Sequence, residues 1–118
     1  GPRRYTTASG GEVVVGRTNV ENDWVTFDLG RPDDLWFHAR GMPGAHVVLR
    51  TGGQPAPEEA IREAARVAAY FSRGRGAAKV PVSYTLRKYV KKPRGAKPGL
   101  VTIANEQTIV VEPRLPSS

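Results

Sequence analysis

The chain has no cysteine and a single methionine in 118 residues. No disulfide framework, cysteine nucleophile or thiolate zinc site is therefore available, and the lack of cysteine fits a cytoplasmic protein. No apolar run approaches the ~20 residues that a membrane-spanning helix needs, so no membrane partner is expected. The start is polar and basic, without the apolar stretch of a secretory signal. Gly1-Pro2 reads as a remnant of protease cleavage and is set aside. Residues 3–113 then read as one domain and residues 114–118 as a frayed tail. The most uneven absence is that of negative charge. From Arg73 to Lys97 there are nine Lys or Arg residues and no Asp or Glu.

This bias organises the reading. Residues 1–60 carry six basic and eight acidic side chains, a balance of −2, whereas residues 61–118 carry twelve basic and three acidic ones, a balance of +9. Such asymmetry makes a charged face that steers anions. It is densest at residues 87–99, where Arg87, Lys88, Lys91, Lys92, Arg94 and Lys97 share thirteen positions with two prolines and two glycines. Proline and glycine oppose an ordinary helix there. Like charges this close repel one another unless an anion comes to them, and a polyphosphate such as RNA is the natural partner. The plainer reading is a solvated loop that keeps the protein soluble. Backbone N–H groups near Gly95 and Gly99 are further candidates to face an anion.

Along the chain, residues 4–8 and 12–15 read as strands around a glycine turn. Residues 18–29 are ambiguous between helix and strand; a short helix with Asn19 as its N-cap is the favoured reading. Residues 35–39 and 45–50 read as strands flanking a tight Gly/Pro loop, which would place His38 and His46 near one edge. Pro57, Glu58 and Glu59 open a long helix with an apolar stripe of Ile61, Ala65, Ala68 and Phe71. Residues 80–86 alternate as a strand, and Pro81 suggests a sheet edge. Residues 100–104 and 108–112 read as a closing hairpin. The expected fold is α+β: a mostly antiparallel sheet with one long α-helix packed on it and one short helix.

Other chemistry is thinner. Arg17, Asn19 and Asn22 form a polar cluster with Asp23, suited to phosphate, base edges or a ribose hydroxyl, or to helix capping and turn fixing. His38 and His46, with Asp34 four residues back, invite three readings: a metal or acid–base site, a donor or stacking surface for RNA, or structural hydrogen bonds. Two imidazoles are a poor ligand set, and no nucleophile or second carboxylate completes a hydrolytic site, so no enzyme, metal or cofactor is expected. Trp24, Trp36, Phe37 and Phe71 are each candidates for base stacking or core, and Tyr84 and Tyr89 for exposed positions.

Three ordered stretches resemble one known family, the NFACT-R domain: Gly16-Arg17-Thr18-Asn19-Val20-Glu21-Asn22-Asp23, Asp34-Leu35-Trp36-Phe37-His38-Ala39-Arg40 through Pro43-Gly44-Ala45-His46-Val47-Val48, and Lys91-Lys92-Pro93-Arg94-Gly95-Ala96-Lys97-Pro98-Gly99. The resemblance covers nearly the whole chain. Thr18 stands where the family usually has a second asparagine, and Ala45 where it usually has serine. The resemblance implies an RNA-binding module at the C-terminal end of a larger ribosome-associated quality-control protein. Such proteins bind tRNA and the stalled large ribosomal subunit and promote C-terminal alanine tailing in bacteria. They are often labelled fibronectin-binding proteins, which keeps a protein-interaction module as the alternative, ahead of a metal-dependent enzyme. The RNA-contacting candidates on this reading are Arg17, Asn19, Asn22, His38, Arg40, His46, Arg87, Lys88, Lys91, Lys92, Arg94 and Lys97.

Overall fold

In the computed structural model, which describes residues 1–117, the chain is α+β. Among the described residues the order is β1 (Arg3–Thr6), β2 (Glu12–Val15), α1 (Asn19–Asp23), β3 (Leu35–Ala39), β4 (Val47–Arg50), α2 (Glu58–Tyr70), β5 (Val80–Leu86), β6 (Val90–Lys91), β7 (Thr102–Ile103) and β8 (Gln107–Val111). Six strands form one sheet in the order β1-β2-β4-β3-β5-β8, and β6 and β7 form a small ribbon. Every pairing is antiparallel.

Strand alternation divides the apolar side chains between the two sheet faces. On one face Val13, Val15, Phe37, Ala39, Val47, Leu49 and Val82 pack against the alanine-rich side of α2. Ala60, Ala64, Ala65, Ala68 and Ala69 of that helix are buried, and their small size lets the helix approach closely. On the opposite face Val14, Trp36 and Val48 meet Val25, Val90, Phe27, Val101 and Ile103. That second layer is built by the segment after α1 and by the β6–β7 ribbon. It carries the functional candidates.

The ambiguous stretch 18–29 is helical. Thr18, not Asn19, is the N-cap, with its hydroxyl accepting from the Glu21 amide at 3.1 Å. Glu21 reaches back to the Arg17 amide at 2.8 Å. The threonine that departs from the usual family residue is thus a competent cap by itself. From Trp24 to Leu29 the helix widens to a π-helical turn, a geometry frequent at functional sites.

Three sequence expectations need correction. β5 is an interior strand, between β3 and β8. Pro81 is tolerated because its backbone faces the β3 side just beyond Ala39, where its carbonyl accepts from Arg40 N–H at 2.9 Å. The missing N–H therefore falls at the end of that ladder. Residues 100–112 do not form a hairpin. β7 pairs with β6, and β8 with β5, because Asn105 at φ 57° turns the chain from the ribbon to the sheet edge. The segment 113–117 has no regular structure, yet Leu115 packs against the core, so it is not frayed there. Ser118 lies outside the described residues.

Candidate nucleic-acid interface

The basic stretch is folded rather than open, and its cations part company. Residues 87–89 form a 3₁₀ turn. Its backbone is tied to the preceding turn by Arg87 N–H to Asp34 O at 2.8 Å and Lys88 N–H to Pro32 O at 3.0 Å. The Arg87 guanidinium lies over the Phe27 ring, and Lys88 pairs with Asp33 at 3.3 Å. The candidates Arg87 and Lys88 therefore belong to the 30–34 turn. After β6, two tight turns follow, closed by Ala96 N–H to Pro93 O at 3.0 Å and Leu100 N–H to Lys97 O at 3.1 Å. The second has Pro98 in its second place and Gly99 in its third at φ 86°, the composition a type II turn needs.

Lys92 points inward. Its ammonium meets Asp23 Oδ2 at 3.1 Å, Leu100 O at 2.9 Å and the carbonyl of Lys97. The Gly99 amide donates to Asp23 Oδ1 at 3.0 Å. Two expectations change accordingly: Lys92 and the Gly99 N–H hold the loop to α1 and are not offered to a ligand. Like-charge repulsion is relieved at Lys92 by a carboxylate 69 residues away in sequence. Lys91, Arg94 and Lys97 remain exposed, and among the described residues none of the three forms an ion pair.

The histidines do come together, with ring centroids 5.8 Å apart. Their roles differ. His46 is 2% exposed. Its Nε2 lies 3.0 Å from Gly99 O, which can only accept, so Nε2 carries the proton. Nδ1 is then the acceptor for the Thr26 hydroxyl at 2.8 Å, and Thr26 Oγ1 accepts from Trp36 Nε1–H at 3.0 Å. This chain of three bonds links β3, the π-helical turn, the residue that precedes β4 and the basic loop. It is satisfied only with a neutral imidazole. Burial, followed by the nearby His38, pushes the His46 pKa down to about 4. His46 is therefore a structural lock, not an exposed RNA contact. His38 is half-buried and stacked on Trp36, at 5.9 Å between centroids with planes 6° apart. Burial lowers its pKa too. It lines a cleft of about 330 Å³ with Arg40, Ser83 and Leu100. Arg40 is exposed and reaches Thr108 on β8 at 2.9 Å. Among the described residues no group of three or more His, Asp or Glu side chains converges to hold a metal.

Asn22 is likewise internal. It is 5% exposed, and its Oδ1 accepts from the His46 amide at 3.1 Å. Gly16 makes room for it: a Cβ there would lie 2.1 Å from Asn22 Oδ1 and 2.8 Å from its Cα. Arg17 and Asn19 are exposed, and Asn19 packs beside Gly99. On the same helix Trp24 is 43% exposed, whereas Trp36 and Phe37 are core. Sequence reasoning missed Asp23, Thr26 and Gly99 as the loop's fastenings. Their partners lie between 10 and 76 residues away, so no local pattern marks them.

A model of the NFACT protein RNA binding domain matches residues 2–105. The chain belongs to this family. The NFACT-R domain is 44% identical over 109 residues to the Rqc2 homolog RqcH of Bacillus subtilis (strain 168), covering 92% of this chain and 19% of that protein. It is 40% identical over 113 residues to the Rqc2 homolog RqcH of Streptococcus suis (strain 05ZYH33), covering 95% and 20%. A solved structure, the C-terminal of the fibronectin/fibrinogen-binding protein from Streptococcus suis, superposes with a TM-score of 0.90 at 39% identity. That superposition covers 96% of this chain and 45% of the other. The chain thus spans about a fifth of the length of the curated relatives it matches.

Proposed function

We propose that this NFACT-R domain is a non-catalytic module that holds tRNA or large-subunit ribosomal RNA for a larger cytoplasmic quality-control protein acting on stalled ribosomes. In bacteria that protein's output would be alanine tailing of the nascent chain. The observation that carries the reading is the presentation of Lys91, Arg94 and Lys97 with no acidic partner among the described residues, on a loop whose base is fastened by Lys92, Asp23 and His46. Fastening the base keeps the three cations from dispersing, so less ordering entropy is lost when phosphates bind. Exposed Trp24, which follows Asp23 in sequence, offers an aromatic face to an unstacked base. Membership of the RNA-binding family and 40–44% identity to RqcH proteins support the same reading.

The test is a tRNA titration at several salt concentrations, for the wild type and for Lys91→Ala/Arg94→Ala/Lys97→Ala. If three phosphates are released, the log–log salt slope falls in magnitude by about 2 to 3 in the variant. An unchanged slope would remove the loop from the interface. A second reading, a protein-binding module, is favoured by the likeness to the fibronectin/fibrinogen-binding protein of Streptococcus suis and by the exposed apolar side chains of Val20 on α1 and Leu100 at the end of the loop. Salt-insensitive binding to fibronectin, with no affinity for tRNA, would establish it instead.

A further inference from the structure

The strongest unassigned feature is a groove of about 490 Å³ between the start of α1, the Pro43–Ala45 turn and the segment after α2. Arg3, Arg17, Arg73 and Arg75 line it, with Ser72 and Asn19, and among the described residues no carboxylate does. Among the described residues none of the four arginines forms an ion pair. They come from three separate parts of the sequence, so only the fold assembles them. The floor is firm: Gly44 bridges Ser72, Ala45 N–H donates to Phe71 O at 3.0 Å, and Arg73 N–H to Pro43 O at 3.0 Å.

Two of the guanidiniums are held in place. That of Arg75 stacks 4.0 Å from the Tyr70 ring centroid, and its Nε donates to Tyr70 O at 2.6 Å. The Arg3 guanidinium lies 4.9 Å from the Phe71 centroid. Stacking leaves the terminal N–H groups of a guanidinium free to fork onto an oxyanion, with part of the rotamer entropy already lost. The groove also meets the basic loop. Asn19 lines it and packs against Gly99, where the loop is fastened.

We infer that this four-arginine groove is a second phosphodiester-binding site, and that one RNA backbone runs from the loop cations past Asn19 into it. The inference rests on the RNA-binding reading above and extends it to Arg3, Arg73 and Arg75, which no local motif singles out. Like charges gathered with no acid among them are tolerated because the occupant is a polyanion.

The experiment compares bulk tRNA binding by wild type, by Arg3→Glu/Arg73→Glu, and by Arg62→Glu/Arg114→Glu. The last pair makes the same change in net charge where the arginines already have acidic partners. The groove variant is expected to bind at least about tenfold more weakly, with a salt slope smaller by about 1.4 to 1.8 for two lost phosphates. The control keeps most of its affinity. A folded groove variant that binds like the wild type, or that loses no more than the control, overturns the inference and leaves the loop reading intact. If the wild type itself does not bind, both fall. Should the double variant fail to fold, Arg73→Ala repeats the comparison, since the Arg73 side chain has no hydrogen bond among the described residues. A slope smaller by about 0.7 to 0.9 is then expected, and no change overturns the site.

Discussion

Acid should loosen this protein through His46. The ordinary histidine pKa is about 6.5 and the folded value is about 4, so below pH 6.5 the unfolded chain takes up a proton that the folded one resists. Stability from this group is complete above pH 6.5 and is lost as the pH falls toward 4. Linkage gives a loss of about 2 kcal/mol at pH 5 and a ceiling of roughly 3 kcal/mol below pH 4. For a chain of this size that is a fall in Tm of roughly 8 °C between pH 7 and pH 5. The structural cause is specific: a second proton on Nδ1 would face a Thr26 oxygen that already accepts from Trp36, and the Thr26 hydroxyl would lose its acceptor. Carboxylates titrate in the same range, so the useful quantity is the difference between wild type and His46→Gln. The variant is less stable at pH 7, but its Tm should fall less on acidification, since the His46 contribution is gone while those of His38 and the carboxylates remain. NMR titration of the His46 ring in the wild type should give a midpoint near 4. A midpoint near 6.5, or equal pH slopes in the two proteins, would refute the reasoning.

Other perturbations separate support from contact. Gly16→Ala drives a methyl group into Asn22, including its backbone, and should cost about 1–3 kcal/mol or more in urea unfolding. Lys92→Ala should destabilise by roughly 1.5–3 kcal/mol and speed hydrogen exchange at the Gly99 amide, whereas Lys91→Ala leaves both unchanged. Trp24→Ala, read by tRNA titration and by Tm, should weaken binding by about 1–3 kcal/mol with little change in stability.

What the sequence revealed, and what it hid, follows the range of the interactions. The alternation of β3 and β4 placed His38 and His46 across from one another, as the pairing of Phe37 with Val47 requires. The alanine stripe of α2 and its acidic first turn were plain, because helix signals repeat every few residues. The direction of Lys92 was not readable, since composition shows a cation but not the single carboxylate that meets it. Nor was the fate of residues 100–112: a local pattern suggests a hairpin, but Val90 and Ile103 form a better apolar contact with the layer under Trp36. For His46 and Asn22 the sequence left an RNA contact and a structural hydrogen bond both open, because residue type does not reveal burial. Here each is buried, His46 with both ring nitrogens bonded and Asn22 with its Oδ1 accepting from the His46 amide, and among the described residues no buried side-chain nitrogen or oxygen lacks a partner.

The fastening of the loop also dictates when the basic surface can exist. Asp23 must find Gly99 across 76 residues, and His46 must find it across 53. Contacts of such separation close large loops of chain, which costs entropy before the contact repays it. The ordered loop is therefore expected to form late in folding, which low φ-values for substitutions at Asp23 and His46 would check. A chain that has built only its first hairpins and α2 carries the same charges, but has no fixed place to present them. Ordered recognition thus depends on long-range folding in this domain, and a folding defect far from the loop is expected to register as a loss of RNA affinity.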